Sequence, residues 1–107
     1  MVITRKQIDA LWEMATPDSS LRDPNEFRKD FAGAWIRRDQ FGSRSPLGWT
    51  ASRIKPIIKG GTDDMENLMP CHWRNKMMKG ANYPEFQSVV SSIGRVNITL
   101  VKSWKAG

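Results

Sequence analysis

Nine basic residues lie between Ala34 and Lys79: Arg37, Arg38, Arg44, Arg53, Lys55, Lys59, Arg74, Lys76 and Lys79. Only four acids share that stretch, Asp39, Asp63, Asp64 and Glu66, so most of the net charge of +6 sits in the middle of the chain. Guanidinium and ammonium groups at this density hold phosphates or carboxylates through charge-assisted hydrogen bonds. A basic balance of this size points to a polyanion, either nucleic acid or an acidic protein surface. Groups suited to bond-making are few. His72 is the single histidine, and without a metal partner it reads as a packing or capping residue rather than a general base. Cys71, the single cysteine, reads as a small buried residue rather than a nucleophile. Asp63 and Asp64 have the chemistry of metal ligands, but beside Gly60-Gly61 they read as a solvated turn. Met77-Met78 read as a packed or adaptable helix face.

These residues need elements to position them. Thr4 and Gln7 form a capping-box pattern ahead of Ile8, Leu11, Trp12 and Ala15, which share one helical face. Asp23-Pro24 reads as the start of a short second helix through Phe27 and Phe31. Gly33–Ile36 is a short apolar stretch. Gly48–Ile54 reads as a strand halted by Pro56, Gly60-Gly61 as a turn, and Asn67–Pro70 as a second strand. Cys71–Lys79 reads as a helix stopped by Gly80. Phe86, Ser88 and Val90, then Val96, Ile98 and Leu100, alternate with period two around a turn within Ser92–Arg95, the pattern of a terminal hairpin.

At 107 residues, 39% of them hydrophobic, one small domain is expected. Five tryptophans, Trp12, Trp35, Trp49, Trp73 and Trp104, are read first as core and second as base-stacking surfaces. A single cysteine excludes an intrachain disulfide framework. No apolar run approaches the ~18 residues of a membrane span, and residues 1–6 lack a signal-peptide apolar core. The expectation is a complete cytoplasmic protein with no membrane association.

The stretch from Gly48 to Lys79 resembles the motif of HNH (ββα-metal) endonucleases. The resemblance is carried by Gly48-Trp49-Thr50-Ala51-Ser52-Arg53-Ile54-Lys55-Pro56, then Gly60-Gly61, Asp63, Asn67-Leu68-Met69-Pro70-Cys71-His72-Trp73-Arg74-Asn75-Lys76 and Lys79. In that family a strand ends in Asp-His-Ile-x-Pro, followed by a Gly-Gly turn with an acid, an Asn-Leu pair, and a helix bearing Asn or His and a Lys. The family's His lies fourteen residues before the Asn of Asn-Leu, as Arg53 lies fourteen before Asn67. Gly33-Ala34-Trp35-Ile36-Arg37-Arg38 and Phe41-Gly42 also resemble small bacterial members, so the likeness covers most of the chain. It implies buried tryptophans at positions 49 and 73.

The family's chemistry needs a divalent metal at the scissile phosphate and a neutral His as general base. By the resemblance, the metal-binding Asp falls on Ser52, the general-base His on Arg53 and the helix ligand on Lys76. Asn67 is retained, and a register shift of one residue would put Asn75 at the helix position. Arg53 is always protonated and cannot accept a proton. The degenerate positions Ser52, Arg53, Asn67 and Lys76 therefore imply no catalytic residue, no metal and no cofactor. Arg53 and Lys76 would stand in for the metal's charge, bracing the frame or holding a phosphate or carboxylate.

The expected fold is α+β: N-terminal helices over residues 1–32, a central ββα HNH-like module over 33–80 and a C-terminal β-hairpin over 81–107. The expected function is an inactive nuclease-like protein that binds nucleic acid through the nine basic residues named above. The alternative is an inhibitor or decoy from a phage or mobile element, for example an anti-CRISPR protein, that binds an acidic or nucleic-acid-binding protein. An active metal-dependent endonuclease is the third reading. The setting implied is the cytoplasm of a bacterial cell or phage-infected host, and the oligomeric state is left open.

Overall fold

A computed structural model describes all 107 residues. The chain is α+β, with two helices and three two-stranded antiparallel sheets. Helix α1 (Arg5–Met14) begins as its sequence dictates: the Thr4 side chain accepts from the Gln7 N–H, and the Gln7 side chain accepts from the Thr4 N–H. Leu11 and Trp12 on its inner face are fully buried.

The second helix expected from Pro24 is replaced by a strand. The Asp23 carbonyl accepts from Glu26 and Phe27, which closes a single turn. The chain then extends as β1 (Phe27–Lys29) against β2 (Trp35–Arg37), with Lys29 opposite Trp35. A one-turn helix is a costly nucleus with little propagation to offset it. Pairing satisfies the same backbone groups while Trp35 and Ile36 become buried. Residues 1–32 thus hold one helix and one strand rather than two helices.

Strand β3 (Trp49–Arg53) pairs antiparallel with β4 (Leu68–His72), with Ser52 opposite Met69 and Arg53 opposite Leu68. Helix α2 (Trp73–Lys79) follows directly. Strand β4 runs through Cys71 and His72, two residues the sequence pattern assigns to the helix, and His72 becomes the N-cap. The turn between β3 and β4 needs both of its glycines. Gly60 has φ +93°, and a Cβ on Gly61 would lie 1.7 Å from the Lys55 carbonyl oxygen.

The main core joins α1 to the β3–β4 pair through Leu11, Trp12, Ala15, Ile36, Trp49, Ala51 and Leu68. The Trp12 and Trp49 rings meet at 5.5 Å, and Phe41 meets Trp49 edge-on at 5.0 Å. Each fully buried tryptophan withdraws roughly 150–250 Å² from water, a gross stabilisation of about 4–6 kcal/mol at most. A smaller aromatic cluster, Phe31 with Phe86 and Trp104, lies under the C-terminal hairpin.

That hairpin is β5 (Glu85–Ile93) and β6 (Val96–Lys105), turning at Gly94-Arg95. Phe86, Ser88 and Val90 face inward as their spacing dictates, but a bulge between Ser88 and Val90 also brings Ser91 inside. The hairpin tip is stitched to β2: Asn97 accepts from the Trp35 N–H (2.7 Å) and donates to the Trp35 carbonyl (3.0 Å). Trp35 Nε1 donates to the Gly94 carbonyl at 2.7 Å. No helix is long and apolar enough to cross a membrane.

Candidate anion-binding site around helix α2

Helix α2 has two opposed faces. Trp73, Lys76 and Met77, with Gly80 one turn on, share one side by the spacing i, i+3, i+4, i+7. Asn75 and Lys79, spaced i, i+4, share the other and are fully buried. The outward side forms part of three clefts. The first, about 230 Å³, is lined by Ser52, Arg53, Lys76 and Gly80. The second, about 380 Å³, is lined by Arg44, Thr50, Trp73, Lys76, Met77 and Gly80. The third, about 370 Å³, is lined by Arg44, His72, Trp73, Arg74 and Asn97. They share walls, Lys76 and Gly80 between the first two and Arg44 and Trp73 between the last two. Four cationic side chains line this run of clefts, with Met1 also at the wall of the smallest, and no carboxylate does.

Ser52, Arg53 and Lys76 thus come together, from β3 and α2, in one cleft. Arg53 Nε donates to Asp63, an exposed ion pair that keeps Arg53 firmly protonated and lowers the Asp63 carboxyl. Asn67 sits elsewhere, as a clamp on the turn. It accepts from the Lys55 N–H (2.9 Å) and donates to the carbonyls of Lys55 (2.9 Å) and Thr62 (2.6 Å). The clamp fixes the backbone just after Arg53 and closes the turn that carries Asp63.

The remaining basic residues divide. Arg37 and Arg38 line a separate cleft of about 560 Å³ with Arg5, Glu26 and Asp39. Arg37 pairs with Asp39 at 3.3 Å, and Arg38 shares Asp9 with Arg5, each at 3.8 Å. Lys59 is exposed and Lys55 half-buried over Tyr83, and neither lines the clefts around α2. Lys79 must be withdrawn as a contact residue. It has no exposed surface, its ammonium donates to the Asn82 carbonyl at 3.2 Å beside the Phe86 ring, and burial lowers its pKa. Trp73 departs from the core reading. It is half-exposed, with Nε1 held by the Ser45 carbonyl at 2.7 Å and the Arg44 guanidinium 5.8 Å from its ring.

Asn75, the register-shift alternative for a helix ligand, is engaged in structure. Its Oδ1 accepts from the Val89 and Val90 N–H groups, both at 2.8 Å, where the β5 bulge leaves successive donors unpaired. Its Nδ2 donates to Asp30 and to the Val90 carbonyl, both at 3.0 Å. Asp30, which sequence reasoning missed, is the buried hub of this network. One carboxylate oxygen accepts from Ala32 and Ala34, the other from the His72 N–H and Asn75. Burial pushes its pKa up and these four donors oppose the rise. Every acceptor position is taken, so a proton on Asp30 would face another donor. Its local donors, Ala32 and Ala34, mark only a turn, and the two that make it a hub, His72 and Asn75, lie more than forty residues away.

No three His, Cys, Asp or Glu side chains gather where they could hold a metal ion. The donors facing the clefts are cations and hydroxyls, and what they can do chemically is hold an anion. Comparison with protein-family models, curated proteins and solved structures returns no match.

Proposed function

We propose that this chain is an HNH-like protein without nuclease chemistry that binds nucleic acid through the face around α2. The observation that carries the reading is the run of three clefts sharing walls, lined by Arg44, Arg53, Arg74 and Lys76 and by no carboxylate. The HNH-like part is supported by the β3–β4–α2 order, the two obligatory glycines of the turn and the Asn67 clamp. The donors at Ser52, Arg53 and Lys76 do not fit a divalent metal, since two of them are cations and the nearby Asp63 is engaged by Arg53. Nor does Arg53 fit the role of a base. No catalytic step is therefore assigned.

Fluorescence anisotropy of labelled duplex and single-stranded oligonucleotides, at low and physiological salt, tests the reading. Four phosphate contacts predict a log–log salt slope of about −3 to −4 on duplex. Arg44→Gln and Arg74→Gln should each weaken binding and flatten that slope by about one, while Arg37→Gln and Arg38→Gln should leave both unchanged. Absence of binding at low salt would sink the proposal and turn the search to an acidic protein partner, the inhibitor reading.

A further inference from the structure

The smallest of the three clefts holds a feature that general basicity does not explain. Ser52 is only 3% exposed, yet it lines the cleft and its hydroxyl makes no hydrogen bond within the protein. Three buried side-chain nitrogens are both unpartnered and shut off from solvent, on Trp12, Arg22 and Trp49; Ser52 Oγ is not among such atoms, so it remains reachable from the cleft. A nearly buried hydroxyl left without a partner costs stability unless something completes it. The same cleft is lined by Lys76, which is exposed and has no ion pair, and by Arg53, whose Nε alone is engaged. The C-terminal end of α2 borders the cleft at Gly80, and Lys76 and Lys79 in its last turn offset the negative end of that short helix.

We infer that this cleft is a metal-independent phosphate site. The Lys76 ammonium and the two terminal amino groups of Arg53 supply charge, and Ser52 Oγ–H supplies the inner hydrogen bond. A tetrahedral oxyanion matches that donor set because it accepts from several directions at once and gives nothing back that must be deprotonated. The inference deepens the nucleic-acid reading and rests on it only for the source of the phosphate. Asp63 is its internal competitor: by engaging Arg53 it lowers the field an incoming anion meets.

The test titrates inorganic phosphate against the full chain at constant ionic strength, with chloride as the control, following the melting temperature. A saturable rise specific to phosphate is expected. Ser52→Ala and Lys76→Gln should each weaken the apparent affinity about tenfold, the worth of one hydrogen bond to a charged group. Asp63→Asn should strengthen it, whereas at a cation site the same change would weaken binding. A rise that does not saturate, or that Ser52→Ala and Lys76→Gln leave unchanged, marks an adventitious ion only and overturns the site. Lys76 is exposed and Ser52→Ala removes one atom, so circular dichroism should show both variants folded.

A second arm measures oligonucleotide anisotropy on the same variants, with phosphate as competitor. Competition together with loss in Ser52→Ala identifies the ligand as a nucleic-acid phosphate. Phosphate binding without oligonucleotide binding sinks the nucleic-acid reading and leaves the anion site, with free phosphate as its ligand. Oligonucleotide binding indifferent to both substitutions, alongside phosphate binding that both weaken, keeps the site with free phosphate as its ligand and removes Lys76 from the nucleic-acid face.

Discussion

His72 shows how one side chain's surroundings settle its chemistry. Its Nε2 lies 2.9 Å from the Pro46 carbonyl, which can only accept, so the proton sits on Nε2. Nδ1 then accepts from the Arg74 N–H at 3.2 Å and caps α2. The neutral ring satisfies both contacts, and a second proton would point at a backbone donor. Burial, opposed by the bond to Pro46, lowers its pKa below the ordinary 6.5. The unfolded chain therefore takes up a proton that the folded chain refuses. Stability is fully present above pH 6.5 and is lost as pH falls through that value towards the lowered pKa. His72→Asn keeps a capping acceptor and should flatten the dependence of melting temperature on pH just below 6.5. An unchanged slope would locate the acid sensitivity in another group. The capping role was legible from a lone histidine at the start of a helical pattern. The Asp30 hub was not, because Ala32 and Ala34 beside it mark only a turn, and His72 and Asn75 are brought in by the fold.

Among the elements, those written in local pattern are the ones the structure reproduces: the Thr4–Gln7 capping box, the β3 and β4 strands and the terminal hairpin, although of its two alternating sets only Phe86, Ser88 and Val90 are buried while Val96 and Leu100 stay exposed. Those settled by distant pairing are the ones that differ. Phe27–Lys29 becomes a strand because β2 is there to receive it, and the β5 bulge exists where Asn75 can cap its two N–H groups. Helix α2 explains the misassignment of Lys79. Counted along the chain it joins Arg74 and Lys76 in a basic cluster, but around the helix it falls beside Asn75 on the buried side. Asn75→Ala should then cost about 2–4 kcal/mol, because it strands the buried Val90 N–H and the part-buried Val89 N–H and removes one of Asp30's donors. Urea unfolding would measure it, and a loss below about 1 kcal/mol would mean that other groups take over those bonds.

For the whole molecule, the separation of the basic residues matters more than their number. Net charge alone groups Arg37 and Arg38 with Arg44, Arg53, Arg74 and Lys76; the fold pairs Arg37, Arg38 and Arg53 with carboxylates and leaves Arg44, Arg74 and Lys76 without one, along an acid-free run of clefts. The resemblance to the HNH motif groups Ser52, Arg53 and Lys76, and the three line one cleft. It was not enough to sort the remaining cations by neighbour. If the alignment of these three positions is right, Ser52→Asp, Arg53→His and Lys76→Asn together should create a divalent-metal site. Mn²⁺ should then raise the melting temperature of the triple variant by about 4 °C or more at saturating concentration, and leave the unsubstituted chain unmoved. A metal-dependent rise in the unsubstituted chain would contradict the proposed lack of nuclease chemistry.

The Asn75 clamp carries a consequence for how the protein is made. During synthesis, Asp30 and Asn75 leave the ribosome before Val89 and Val90, whose N–H groups Asn75 must receive. Until then α2 has no hairpin to rest on, and Trp35 still lacks Asn97. Of the three clefts, the one walled by Val90, Asn97, Ile98 and Thr99 is complete only once the hairpin is made, whereas the other two are lined by no residue beyond Ala81. A ribosome stalled before the hairpin emerges would present Arg74 and Lys76 on a helix whose inner residue, Asn75, still lacks its Val89 and Val90 partners.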